Sequence, residues 1–208
     1  MPLQNRVNPL GEIVAVPERG LMMGNRGILH DERQHIVRCW QARRWITCVT
    51  EFRGRRRTVM TPHRYTELFF LDEATAFAAG HRPCKECRYA DYQRFVSAWA
   101  AWSGQRLSAG EMDDALHADR LEGRGASRRK RTYQERLGAL PDGVFVRVDG
   151  AAWLPWRNRL LAWSPAGYTT RRAPPSSEVE VLTPRAIVEV FRAGYTPLVH
   201  PSAEALPA

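Results

Sequence analysis

Cys84 and Cys87 stand two residues apart in the stretch Pro83–Cys84–Lys85–Glu86–Cys87, shortly after Gly80. Cysteines at that spacing bring two thiolates from one turn to the same ion, and zinc takes four such ligands in a tetrahedron. Two other uses compete: a thioredoxin-like redox couple, and plain burial as small apolar side chains. A redox pair opens a helix that follows a central strand, whereas this pair follows a helix stop, so the metal reading is preferred. The other half of the site must come from Cys39, Cys48 or a nearby histidine, among His30, His35, His63 and His81. If residues 41–44 form a four-residue turn, Cys39 and Cys48 become diagonal neighbours on one face of a β-ladder and complete the site. A similar pairing across residues 31–34 puts His30 on that face. The third and fourth ligands thus stay open between Cys48 and Cys39 on one side and His30 or His63 on the other, with Cys48 the expected third.

The remaining chemistry-bearing residues are mostly arginines. The formal net charge is +9, and all but Lys85 and Lys130 of the 31 basic residues are arginine. Such a balance points to a polyanionic partner, nucleic acid and DNA above all. Two clusters carry it: Arg43, Arg44, Arg55, Arg56 and Arg57 around Trp45 and Phe52, and Arg128, Arg129, Lys130 and Arg131 in GRGASRRKRTYQER. Arginines reach phosphates and the interleaved aromatics stack on bases; the competing reading is a solvated turn and an exposed basic linker. An enzyme reading rests on Asp113, Asp114, His117 and Glu122, a set that suits metal-assisted phosphodiester hydrolysis. No phosphate-binding glycine loop, nucleophile elbow or H-E-x-x-H motif accompanies it. No run of about 18 apolar residues and no signal-peptide pattern occurs, so a cytoplasmic protein with reduced cysteines is expected.

These residues need elements to hold them. Residues 1–20, with three prolines, read as an irregular lead-in. From Gly27 to Met60, short extended runs (GILH, HIVRCW, WITCVTEF, RTVM) predict an antiparallel meander. YTELFFL then reads as a strand, Asp72 as a helix cap, EATAFAA as a short helix and Gly80 as its stop. Tyr92, Phe95, Val96, Trp99 and Trp102 recur at helical spacing from about Tyr89 to Gly104, and a third helix is predicted over Glu111–Leu121. The final part, LPDGVFVRVDG, AAWLPW, RLLAWSPAGY and EVEVL, predicts strands closed by one helix over IVEVFRAGY. FAAGHRP and FRAGYTP share helix-stop chemistry. The fold class is α+β, with a lead-in (1–20), a zinc-binding module with helices (21–122), a basic linker (123–139) and a β-rich module (140–208).

The stretch FFLDEATAFAAGHRPCKECR, residues 69–88, resembles the end of the zinc-binding domain of the Ada methylphosphotriester repair protein and of similar modules appended to bacterial nucleases. A looser likeness runs back over residues 24–88 through MGNRGILHDE. The resemblance implies a zinc site beside DNA with Cys84 and Cys87 as ligands. It carries neither the upstream ligands nor the methyl-accepting cysteine, for which no cysteine stands at the matching distance. The expected function is a zinc-containing nucleic-acid-binding protein, with a nuclease or repair enzyme as first alternative and a structural zinc protein with a protein partner as second.

Overall fold

The computed structural model describes residues 1–56, 58–123 and 128–206 and has an α+β architecture. Two six-stranded sheets dominate it. The first has the order β2-β1-β5-β3-β4-β6, from β1 (Gln4–Val7), β2 (Ile13–Ala15), β3 (Met22–Asn25), β4 (Ile46–Val49), β5 (Leu68–Phe70) and β6 (Arg82–Pro83). The second has the order β13-β12-β11-β10-β14-β9, from β9 (Tyr133–Arg136), β10 (Val146–Val148), β11 (Ala151–Trp156), β12 (Arg159–Ser164), β13 (Gly167–Arg172) and β14 (Glu178–Val181). A small hairpin pairs β7 (Leu121–Glu122) with β8 (Arg129–Lys130).

Alternation along the second sheet gives it two apolar faces, as period-two side-chain direction requires. Val146, Leu160, Val179 and Val181 face a core built with α2 (Tyr89–Ser103), α3 (Ala109–Arg120) and α4 (Arg185–Arg192). Phe145, Ala152, Leu154 and Leu161 pack on the opposite side against α1 (Glu73–Ala78). Every residue of α1 is buried. Its small side chains let three cores meet around it: Ala74 and Ala78 face the second sheet, Ala76 the first sheet with Val7, Leu29 and Phe70, and Phe77 the helices.

Two buried carboxylates fix both ends of this arrangement. Asp72 caps α1 through Thr75 and also accepts from the Tyr168 hydroxyl (2.7 Å) and the His200 N–H (2.9 Å). Glu73 pairs with Arg88 (2.6 Å) and accepts from the Tyr195 hydroxyl and the Leu198 N–H. The likeness of FAAGHRP and FRAGYTP is one helix-ending geometry. Gly80 (φ 88°) and Gly194 (φ 100°) are left-handed, and each is followed by a residue whose N–H reaches back to the last turn, His81 to Ala76 and Tyr195 to Val190.

Several expectations need correction. The segment 1–20 is not irregular: β1 and β2 form a hairpin there, turned at Gly11 (φ 83°) and held by Asn8 and Glu12. Among the described residues of the expected meander, only β4 forms a ladder strand; GILH and HIVRCW are joined by a single bridge, His30 to Ile36. Beyond that bridge no ladder continues: the Leu29 N–H donates to the Thr66 hydroxyl, and just past the second run the amides of Gln41 and Ala42 both donate to the Arg26 carbonyl. Nor is 123–139 simply a linker, because β8 and β9 lie in it and Leu137 is part of the core shared by residues 77–195.

Candidate metal centre

Cys48 sits on β4, whose antiparallel partner is β3 and whose parallel partner is β6. The β6 strand ends at Pro83, and the Cys84 N–H donates to the Thr47 carbonyl at 2.9 Å, so the Cys84–Cys87 turn is laced to β4 at its start. The turn closes on itself as the Arg88 N–H donates to the Cys84 carbonyl, and the Glu86 N–H points at the Cys84 Sγ at 3.4 Å. The Sγ atoms of Cys48, Cys84 and Cys87 then lie within 4.8 Å of one another. Zinc–sulfur bonds of about 2.3 Å in a tetrahedron put sulfurs about 3.8 Å apart, a separation compatible with three sulfurs within 4.8 Å of one another.

The electrostatics fit a cation. Hydrogen bonds from Cys48 and Cys87, and from the backbone of Cys87 and Glu86, pull the Cys84 thiol down to about 2, against a usual 9.0. Cys48 is driven far up, first by its hydrogen bonds to Cys84 and Cys87 and then by burial. On Cys87 the bond from Cys48 lowers the pKa, but Cys84 and burial outweigh it and the net shift is upward. Three sulfurs this close hold one negative charge among them when no ion is present; a divalent ion supplies the charge that lets all three ionise.

Cys39, expected as a ligand, is exposed and stands outside this cluster. The reason is the missing ladder: without strand pairing between Ile36 and Trp45 nothing carries Cys39 beside Cys48. His30 is buried with both ring nitrogens engaged, Nδ1 with the Thr66 hydroxyl (2.6 Å) and Nε2 with the Thr61 carbonyl (3.2 Å). His63 is exposed beside Glu32. Among the described residues, no fourth protein donor joins the three thiols. Instead they border a cavity of about 410 Å³ whose walls include Ile46, Phe52, Val59, Tyr65, Glu67 and Phe69, with Arg44 and Arg55 also lining it.

Of the first arginine cluster, Arg44 and Arg55 line this cavity. Arg44, Arg55 and Arg56 are exposed; Arg55 pairs with Glu86 (2.7 Å), and both Arg53 and Arg55 lie over the Phe52 ring at 5.0 and 5.3 Å. Arg43 instead binds Asp114 across the surface. Arg57 lies outside the described residues. The second cluster splits. Arg131 is exposed, Arg129 pairs with Glu122, and Arg128 sits 2.9 Å from His117 Nε2 with its guanidinium over Trp40. Lys130, expected on an exposed arm, has its ammonium turned inward onto the Ala78 carbonyl, where burial beside Arg26 and Arg120 lowers its pKa to about 7.

The acidic set is engaged by arginines as well, Asp114 by Arg43 and Glu122 by Arg129 at the surface. Asp113 forms a buried two-pronged pair with Arg82 (2.8 and 2.7 Å), and burial between arginines pushes His117 down to about 4. Sequence reasoning did not find the buried arginines Arg26 and Arg120, which sandwich Trp45 with guanidiniums 4.3 and 3.9 Å from its ring centroid. Burial lowers both to about 9. A tryptophan beginning an apolar strand was the one signal available. Trp45 clamped in this way fixes the start of β4, and with it Cys48. No helix among the described residues is long and apolar enough to cross a membrane. Compared with protein-family models, with curated proteins and with solved structures, the chain matches none of them.

Proposed function

We propose that Cys48, Cys84 and Cys87 hold a zinc ion and that the protein binds nucleic acid on the face where that ion lies. The observation that carries the reading is the juxtaposition itself: a three-thiol cluster borders a cavity that exposed arginines also line. Soft thiolates select zinc over hard cations such as magnesium or calcium. Arg44, Arg55 and Arg56, with Arg53, give a basic surface next to Phe52, the pairing of charge and aromatic ring that backbone contact with base stacking calls for. The likeness of residues 69–88 to Ada-type zinc modules supports the same reading.

The test is a metal analysis of the purified protein together with oligonucleotide binding by fluorescence anisotropy. One zinc per chain is expected, retained in Cys39→Ser and lost in Cys48→Ser and Cys84→Ser, with saturable binding that weakens as salt rises. Metal-free protein that folds like the loaded form, or arginine variants of the 53–56 loop that bind like the wild type, would exclude the reading.

A further inference from the structure

The cluster has three sulfurs and zinc takes four ligands; among the described residues no fourth donor joins the three thiols, and they border a cavity whose carboxylates, Glu67 and Glu86, stand outside the cluster. We infer that this cavity receives one unstacked nucleotide, its base between the aromatic walls and its edge at the metal's fourth position, its phosphate at Arg44 and Arg55. This rests on the nucleic-acid reading above and deepens it by naming what part of the strand enters.

Three features point to that occupant. The volume of about 410 Å³ holds a planar ring system and more, and Phe52, Tyr65 and Phe69 line it, aromatic side chains of the kind on which bases stack, Phe52 and Phe69 each with an arginine already over the ring. The arginines are placed for an anion: Arg55 already reaches an acidic partner, Glu86, at the same rim, and a phosphate competes for the same guanidinium. The metal end is soft, and a ring nitrogen of a base is a donor that thiolate-bound zinc accepts. A closed structural site, by contrast, carries four protein ligands.

The full-length protein loaded with Co²⁺ in place of zinc reports the fourth ligand through its visible absorption. Titration with AMP, CMP and GMP, each with a free ring nitrogen, is expected to change that spectrum saturably, with UMP, whose N3 carries a proton, inorganic phosphate and ribose 5-phosphate leaving it unchanged. Phe52→Ala should raise the nucleotide concentration required by about tenfold, and Ile46→Trp, which fills the cavity, should abolish the response while keeping the cobalt. If Ile46→Trp does not hold metal, Phe52→Ala decides, and a wild-type response in that variant overturns the inference. A spectrum that no nucleotide changes overturns it, as does a change that phosphate alone or a simple thiol reproduces. Oligonucleotide binding without any spectral response removes the pocket and leaves the proposed function standing. A nucleotide response without oligonucleotide binding keeps the pocket and removes the nucleic-acid reading.

Discussion

Of the three sulfurs, Cys84 carries charge before any ion arrives, because its neighbours donate to it and hold it at about 2. Cys48 and Cys87 do the opposite and keep their protons above the usual thiol range of 9.0. The sign of the pH dependence follows. Binding an ion must expel protons from Cys48 and Cys87 and none from Cys84, so affinity rises with pH, and below 9.0 it gains about two powers of ten per unit. Competition with a chromophoric chelator across pH 6 to 8 measures this slope. A slope near three would mean that Cys84 is an ordinary thiol in the metal-free protein, and a flat profile would mean that the thiols are not the ligands.

At the scale of elements, the path from α1 into β6 decides whether Cys84 meets Cys48. Gly80 makes that turn at φ 88°, and a Cβ there would lie 2.6 Å from Arg120 Cδ. Arg120 has no easy retreat, being stacked on Trp45 and bonded to the Gly80 carbonyl. Gly80→Ala is therefore expected to cost about 1–3 kcal/mol and to lower metal content, read by denaturant midpoint and metal analysis; full metal occupancy at wild-type stability would show that the turn is not the positioning device. A second element-scale prediction concerns β8. Lys130 titrates near 7 folded and near 10.5 unfolded, so between those values the unfolded chain binds the extra proton and stability rises with pH. Lys130→Met should remove that rise, which denaturation at pH 7 and pH 10 measures as the difference from wild type; an unchanged pH dependence would show that the ammonium is solvated. The elements legible in the sequence were those with local signals: Asp72, Gly80, Gly104 and Gly194 mark helix ends, and the alternation of VFVRV and EVEV marks strands. Cys48 was legible because WITCV is a strand in its own right. Cys39 was misplaced because residues 27–45 are held by side-chain acceptors and by scattered turn-type backbone bonds rather than by a ladder, a pattern that no spacing of apolar residues encodes.

For the molecule as a whole, a net charge of +9 overstates the basic surface. Arg26 and Arg120 are spent on clamping Trp45, Arg82 on Asp113, Arg88 on Glu73 and Lys130 on the Ala78 carbonyl, all of it tying the first sheet, α1, the start of α2, α3 and the β7–β8 hairpin together. What remains on the surface is uneven. The loop of Arg53, Arg55 and Arg56 projects beside the candidate metal centre, while on β8 Arg129 is tied to Glu122. If nucleic acid lies on the metal face, the two sets contribute differently to its salt dependence. Each duplex phosphate contact adds about 0.9 to the slope of log affinity against log salt. Replacing Arg53, Arg55 and Arg56 by alanine should flatten that slope by about 0.9 for every contact removed, whereas replacing Arg129 and Arg131 should leave it nearly intact. Anisotropy titrations at several salt concentrations compare the two variants directly. A larger change in the Arg129 and Arg131 variant would move the interface to the β7–β8 hairpin, and equal slopes in all three proteins would make the surface charge a matter of solubility alone.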